Sequence, residues 1–368
     1  MAALFLAGPL RHAPLLAVIL GKAATLSPAT AAGRSGQLVD APGHFGLLRK
    51  ASCRVEGSAL RDATPEDMAR LAFYAKAIGL GRYKLSLIDA AGGGQAETFA
   101  LRPPFAKGQV WDEAVWLADH AALAVETAVE VMALYGQTPP ACLSARIGPM
   151  MVRAASRLRA QADQAPAAVR RGPGQVTVQS RRQPYANFFA VEEYDLSFRR
   201  FDGAMSPVIT RAAFVSADAV TVLPYDPQRD RVLLVEQMRA GPFSRGDANP
   251  WQLEAIAGRI DPGETPEDCA RREAVEEAGL SLGALLPVAA YYPSPGAKTE
   301  FIYSYAALTD LPDGVAGVFG VEGEAEDIRG HLLGFDQAMA LVGSGEVQNA
   351  PLLLTLLWLQ RERTRLRS

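Results

Sequence analysis

Hydrophobic and polar positions repeat along this chain with two different periods, and the switches between them mark the elements. Tyr83-Lys-Leu-Ser-Leu-Ile88 alternates with a period of two, as a half-buried strand does. Before it, Thr64-Pro65-Glu66-Asp67 supplies an N-cap, a first-turn proline and first-turn acids, and Met68, Leu71 and Ala72 give the following helix an apolar face. The rest of residues 1–110 reads as short strands broken by glycine and proline. Residues 110–160 change to a helical period. Val115, Ala121, Ala128, Val131 and Leu134 lie on a broad apolar face interrupted by Asp112, Glu113, Asp119, Glu126 and Glu130. Pro139 and Pro140 separate a second helix, 142–160, whose Arg146, Arg153, Arg157 and Arg159 read as a solvated face. The run 161–175, rich in Gln, Ala, Pro and Gly, reads as a linker. Beyond it the period returns to two: strands are expected at 187–198, 208–214, 219–225 and 232–237, with a turn at 226–230. Further strands follow near 287–292 and 301–307, and helices near 335–342 and 351–363. The expected class is α+β: a small α+β domain over 1–110, a helical connector over 111–160, a linker over 161–175, and a mixed sheet between helices over 176–368.

Composition narrows this picture more than it changes it. At 368 residues the chain is long for one core, so two domains are the starting expectation. Hydrophobic content of 49% with 21% charged residues suits a globular protein, and a net charge of −3 offers no basic footprint for nucleic acid. Cys53, Cys142 and Cys269 are odd in number and widely spread, which argues against a disulfide framework and for a reducing compartment. His12, His44, His120 and His331 form no metal signature. The first 33 residues have the look of a secretory signal, but Arg11 and His12 interrupt the apolar run and nothing basic precedes it, so a cytoplasmic protein is expected. No apolar run is long enough for a membrane span.

The candidate chemistry is concentrated in 258–280. Thr265 is an N-cap, Pro266 suits the first helical position, and Gly279 suits a helix end. Between them, Glu273, Glu276 and Glu277 lie on one side of the helix, where like charges repel unless a cation sits against them. Oxygen ligands suit a hard divalent ion, Mg²⁺ or Mn²⁺. Alone, the helix would read as a solvated acidic face. The whole stretch, however, resembles the Nudix box: Gly258, Glu264, Arg272, Glu273, Glu276, Glu277, Gly279 and Leu280 fall on its fixed positions. The flanks, among them "WQLEAIAGRIDPGE" and "EGEAEDIRGHLL", and Pro295 sixteen residues after Gly279, resemble the ADP-ribose pyrophosphatase branch of that family.

That resemblance implies a metal-dependent hydrolase splitting ADP-ribose into AMP and ribose 5-phosphate. It implies metal ligation by Glu273, Glu277, Glu326 and the carbonyl of Ala257, with Glu276 in the metal shell. Glu264 and Arg272 would hold loop and helix in place, and Glu324 would be the general base. Arg211 and Arg239 would meet the pyrophosphate or terminal ribose, Phe188 or Phe189 would stack on adenine, and Glu300 would contact ribose hydroxyls. A homodimer whose N-terminal strands cross to the partner belongs to the same pattern. The rival expectations are another nucleoside-diphosphate derivative, such as a nucleotide sugar or a dinucleotide, and a nucleotide-sensing protein. Two-domain chains of this kind also resemble proteins labelled tellurite-resistance factors, a label that describes a phenotype and no chemistry.

The order "FLAGPLRHAPLLAVILGK", then a helix ending "LAFYAKAIGLGRY", then a strand, within the first 110 residues, resembles the γ-glutamylcyclotransferase-like (AIG2-like) fold, with two departures. Ala7-Gly8-Pro9-Leu10 stands where that family has Tyr-Gly-Ser/Thr-Leu, and Pro9 removes an N–H the loop could offer a carboxylate. Ala75 stands at the expected catalytic glutamate, and alanine cannot move a proton. The expectation is a retained fold without cyclotransferase chemistry.

Overall fold

The computed structural model describes residues 3–39, 44–88, 94–104, 109–162, 168–172, 174–320 and 326–368. The chain divides into two compact units, Met1–Pro166 and Ala167–Ser368. In the first, Ala3–Leu6, Ser27–Val39, His44–Leu60, Gly81–Ile88 and Gly94–Ala100 pair in a ring, because Ser27–Val39 bonds to both Gly81–Ile88 and His44–Leu60. Two of these strands run to 13 and 17 residues, where short strands were expected. Alternation explains the layering: Phe5 packs with Leu47, Leu85 and Ala96, whereas Leu4 and Leu6 face the helices.

Those helices include Pro65–Ala77, where the Thr64 cap predicted one, and Ala13–Leu20. They also include Glu113–Asp119, Ala121–Ala133 and Ile147–Ala162. Trp116, Ala128, Val131 and Met150 share one core with Leu4, Leu71 and Phe73, so the stretch expected as a connector is part of the first unit. A second correction concerns Arg153. It is 2% exposed and its guanidinium grips the fully buried Glu130 through Nη2 at 2.7 Å, with Arg157 adding a second contact to Glu130 at 2.6 Å. The helical arginines are therefore not one solvated face.

The second unit is built on an eight-stranded mixed sheet. Its centre is Ala219–Asp226, parallel to Ile302–Leu308 and antiparallel to both Arg231–Met238 and Ile256–Arg259. Period-two burial sends Val220 and Val222 toward the helix Pro266–Ala278, and Leu223 and Tyr225 toward the helices Phe335–Ser344 and Ala350–Arg367. Ile328–Gly334, where no element was expected, is a ladder strand beside Arg231–Met238. A separate three-stranded sheet, Val176–Ala186, Ala190–Phe198 and Ile209–Val215, precedes this core. Among the described residues no helix is long and apolar enough to cross a membrane.

Candidate active site

The helix Pro266–Ala278 begins and ends as its sequence dictates. Thr265 accepts the N–H of Asp268 at 3.1 Å, and Gly279 closes the helix at φ +61°. Opposite lies the strand Ile256–Arg259, close enough that a Cβ on Gly258 would sit 1.8 Å from Glu273 Oε1. Position 258 is thus limited to glycine by the carboxylate it faces.

Arg272 organises the acids. Its Nε and Nη2 donate to the two oxygens of Glu264 at 2.9 and 3.0 Å, a two-pronged bond. Its Nη1 donates to Glu273 at 2.6 Å and Glu276 at 3.0 Å, and Nη2 reaches the carbonyl of Arg259 at 3.1 Å. Glu264 also accepts the N–H of Asp261 at 3.0 Å, which ties the preceding loop to the helix. Glu277 is 3% exposed and accepts the N–H of Ala257 at 3.0 Å. Burial pushes Glu277 up to about 8. Burial likewise pushes Glu273 up to about 7 against the pull of Arg272, and the charges of Glu276 and Glu326 add to the rise.

Arg272 therefore serves three carboxylates, Glu264, Glu273 and Glu276, while Glu277 feels the more distant Arg239, and this acid-rich face favours a further positive charge. All donors are carboxylate oxygens, the set a hard divalent ion prefers. Among the described residues no three His, Cys, Asp or Glu lie close enough together to hold an ion unaided. The salt bridges from Arg272 to Glu273 and Glu276 give the local reason, since both carboxylates are turned onto the guanidinium.

The other expected residues lie on several elements. Arg239 is committed to Glu254, with Nε donating at 2.8 Å, and Asn349 donates to the other oxygen of Glu254 at 2.9 Å. Burial opposes the charge of Arg239, but Glu254 outweighs it, and Glu277 and Glu326 lie within electrostatic reach. Phe188 and Phe189 occupy the turn before Ala190–Phe198, and Phe189 packs on Phe214 with centroids 4.6 Å apart. The turn carrying Pro295 is bonded to the strand Ile209–Val215, Phe214 N–H to the Ala297 carbonyl at 2.8 Å and Thr299 N–H to the Phe214 carbonyl at 3.1 Å. Glu300 faces Lys298 at 3.7 Å. Arg211 is exposed on the three-stranded sheet and donates to the carbonyl of Thr210 at 2.9 Å. Glu324 lies outside the described residues.

Sequence reading passed over Glu254, Gln237 and Asn349. Gln237 Nε2 approaches Glu277 at 3.4 Å, and Glu254 anchors Arg239. A lone acid in the apolar run Leu253-Glu-Ala-Ile256 was the available signal, because a buried carboxylate needs a partner.

Known proteins are similar to this part of the chain in sequence. The NUDIX domain matches residues 215–355. The ADP-ribose pyrophosphatase of Escherichia coli is 38% identical over 189 residues, covering 51% of this chain and 90% of that protein. The ADP-ribose pyrophosphatase of Haemophilus influenzae is 36% identical over 178 residues, 48% of this chain and 82% of its own length. A GDP-mannose pyrophosphatase of Yersinia pestis is 31% identical over 174 residues, 47% and 86% respectively. A solved ADP compounds hydrolase superposes with a TM-score of 0.43 at 19% identity, over 54% of this chain and 100% of that one.

Proposed function

The chain belongs to the Nudix family, and on that footing we propose that it hydrolyses the pyrophosphate bond of ADP-ribose to AMP and ribose 5-phosphate. The observation that carries the reading is Glu273 and Glu277 together on one helix face, the first set against Gly258 and the second buried and bonded to the Ala257 N–H. Glu273, Glu277, Glu326 and the Ala257 carbonyl would hold Mg²⁺ or Mn²⁺, with Glu276 beside them. When bound, such an ion neutralises diphosphate charge and lowers the pKa of the attacking water. Glu264 and Arg272 keep loop and helix in register, and Glu273 would turn from Arg272 toward the ion. Glu324 is the proposed general base, on its place in the acidic stretch. Phe188 or Phe189 would receive the adenine, Arg211 and Arg239 the phosphates or terminal ribose, and Glu300 the ribose hydroxyls, with Pro295 shaping the turn.

A panel of nucleoside-diphosphate compounds with Mg²⁺ or Mn²⁺ tests the reading. ADP-ribose should be cleaved fastest; a faster nucleotide sugar would displace it, an alternative to which the 31% identity with a GDP-mannose pyrophosphatase gives weight. Glu324→Gln should depress kcat with metal affinity little changed, and an unchanged kcat would move the base elsewhere.

The remaining proposals concern the whole chain. The first unit is read as γ-glutamylcyclotransferase-like without that activity; its closed sheet and the buried Ala75 support this. Release of 5-oxoproline from a γ-glutamyl substrate by the full chain would overturn it. A homodimer is supported by the exposed Val176 and Val178 on the three-stranded sheet and Val208 just before its last strand, and a reducing, cytoplasmic setting by three free cysteines.

A further inference from the structure

Arg259 directly follows Gly258, and its backbone is fixed while its side chain is not in the helix face. The carbonyl of Arg259 accepts Arg272 Nη2 at 3.1 Å and the Cys269 thiol at 3.2 Å. Because successive side chains of a strand point to opposite faces and Gly258 faces Glu273, Arg259 projects away from the carboxylates. There its guanidinium carbon lies 3.9 Å from the ring centroid of Phe188 and 4.7 Å from that of Phe189. The two rings meet edge to face at 5.0 Å, and Phe188 remains 58% exposed. At 3.9 Å the guanidinium and the Phe188 ring are in van der Waals contact, so no base fits between them as they stand.

We propose that Arg259 determines which nucleobase this site accepts: the base takes the Phe188 ring face that the guanidinium covers, and Arg259 closes over the base's outer face. This rests on the reading above, in which the phenylalanine pair receives the base. A guanidinium is planar and stacks on π-faces, and its attraction grows with the area of the face presented. The class favoured is therefore a purine nucleoside diphosphate derivative over its pyrimidine counterpart. The backbone that carries Arg259 is pinned by Arg272 and Cys269, so base recognition is mounted on the same strand as the proposed Ala257 ligand.

Binding of AMP and of UMP to the full chain, measured by calorimetry, tests this without any pyrophosphate to cleave. The wild type should bind AMP more tightly than UMP. Arg259→Met should weaken AMP roughly two- to fivefold with UMP little changed. Arg259→Lys should not restore the preference, because an ammonium has no plane to stack. Phe188→Leu should lower AMP binding by itself, and adding Arg259→Met to it should then change nothing further. An unchanged AMP-to-UMP ratio in Arg259→Met, or tighter AMP binding in that variant, would overturn the assignment. A chain that leaves ADP-ribose uncut yet shows the predicted ratios would sustain the role of Arg259 and refute only the functional reading.

Discussion

Two helices of this chain open with the same four residues. Thr64-Pro-Glu-Asp67 starts Pro65–Ala77 in the first unit, and Thr265-Pro-Glu-Asp268 starts Pro266–Ala278 in the second. In each, the threonine hydroxyl accepts the aspartate N–H at 3.1 Å. In the second, Glu267 also accepts the Tyr305 hydroxyl at 2.8 Å, and in the first the charge of Glu66 bears on Tyr135. They part at the aspartate side chain. Asp67 is 3% exposed, accepts the N–H of Thr64 at 2.9 Å and meets Lys22 at 2.8 Å, whereas Asp268 is exposed and holds the Thr265 hydroxyl at 2.7 Å. Later turns diverge further: one helix buries Leu71, Phe73, Tyr74 and Ala75, the other presents Arg272, Glu273, Glu276 and Glu277. A helix start is a local property, legible in four residues. What the helix is for depends on the surface opposite, Gly258 in the second unit.

The largest effects should come from the acid-bearing helix. Glu277→Gln keeps the shape and can still accept the Ala257 N–H, but removes a proposed ligand charge. A fall in kcat of roughly 10²–10³-fold is expected. Thermal melts without metal should show no loss of stability, since a neutral amide is cheaper to bury than a carboxylate. Mg²⁺ should raise the melting temperature of the wild type more than that of the variant. Equal rates in the two proteins would remove Glu277 from the metal site. Next in size is Arg272→Lys, for which kcat/KM should fall roughly 10–100-fold, because lysine cannot make the two-pronged bond to Glu264. Full activity in the lysine variant would show that charge alone suffices.

This contrast also marks how far the sequence could be read. Both helix starts, the Gly279 end and most strands of the second unit were visible, because caps and alternation are local. So was the acidic face, through i, i+3 and i, i+4 spacing. Long-range partners were not. Arg153 looks like its neighbouring arginines until Glu130 arrives from another helix, and nothing beside Arg239 in the sequence announces its ion pair with Glu254. Arg259 is one unremarked position of a motif, and nothing in its own stretch announces the Phe188 turn some seventy residues earlier. Ile328–Gly334 was hidden for a different reason: its acidic approach reads as a loop, and only pairing with Arg231–Met238 makes it a strand.

The smallest effects test whether the two openings really differ. Asp67→Ala should cost about 1–2 kcal/mol, the range for a lost cap contact together with a buried hydrogen-bonded partner. Burial alone would raise the Asp67 pKa, but Lys22 and the Thr64 N–H and hydroxyl outweigh it and hold the carboxyl below its ordinary range. A depressed folded-state pKa stabilises above the unfolded value, so this contribution is present at neutral pH and lost as pH falls through the folded value in strong acid. Asp268→Ala should cost about 0.5 kcal/mol or less, since the Thr265 hydroxyl still accepts the N–H at position 268 and the carboxylate is solvated. Amide hydrogen exchange in the first turn of each helix reads the two losses separately, without assuming that the units unfold together. Equal losses at the two sites would mean that the shared tetrapeptide, and not the surroundings of its aspartate, sets the strength of both helix starts.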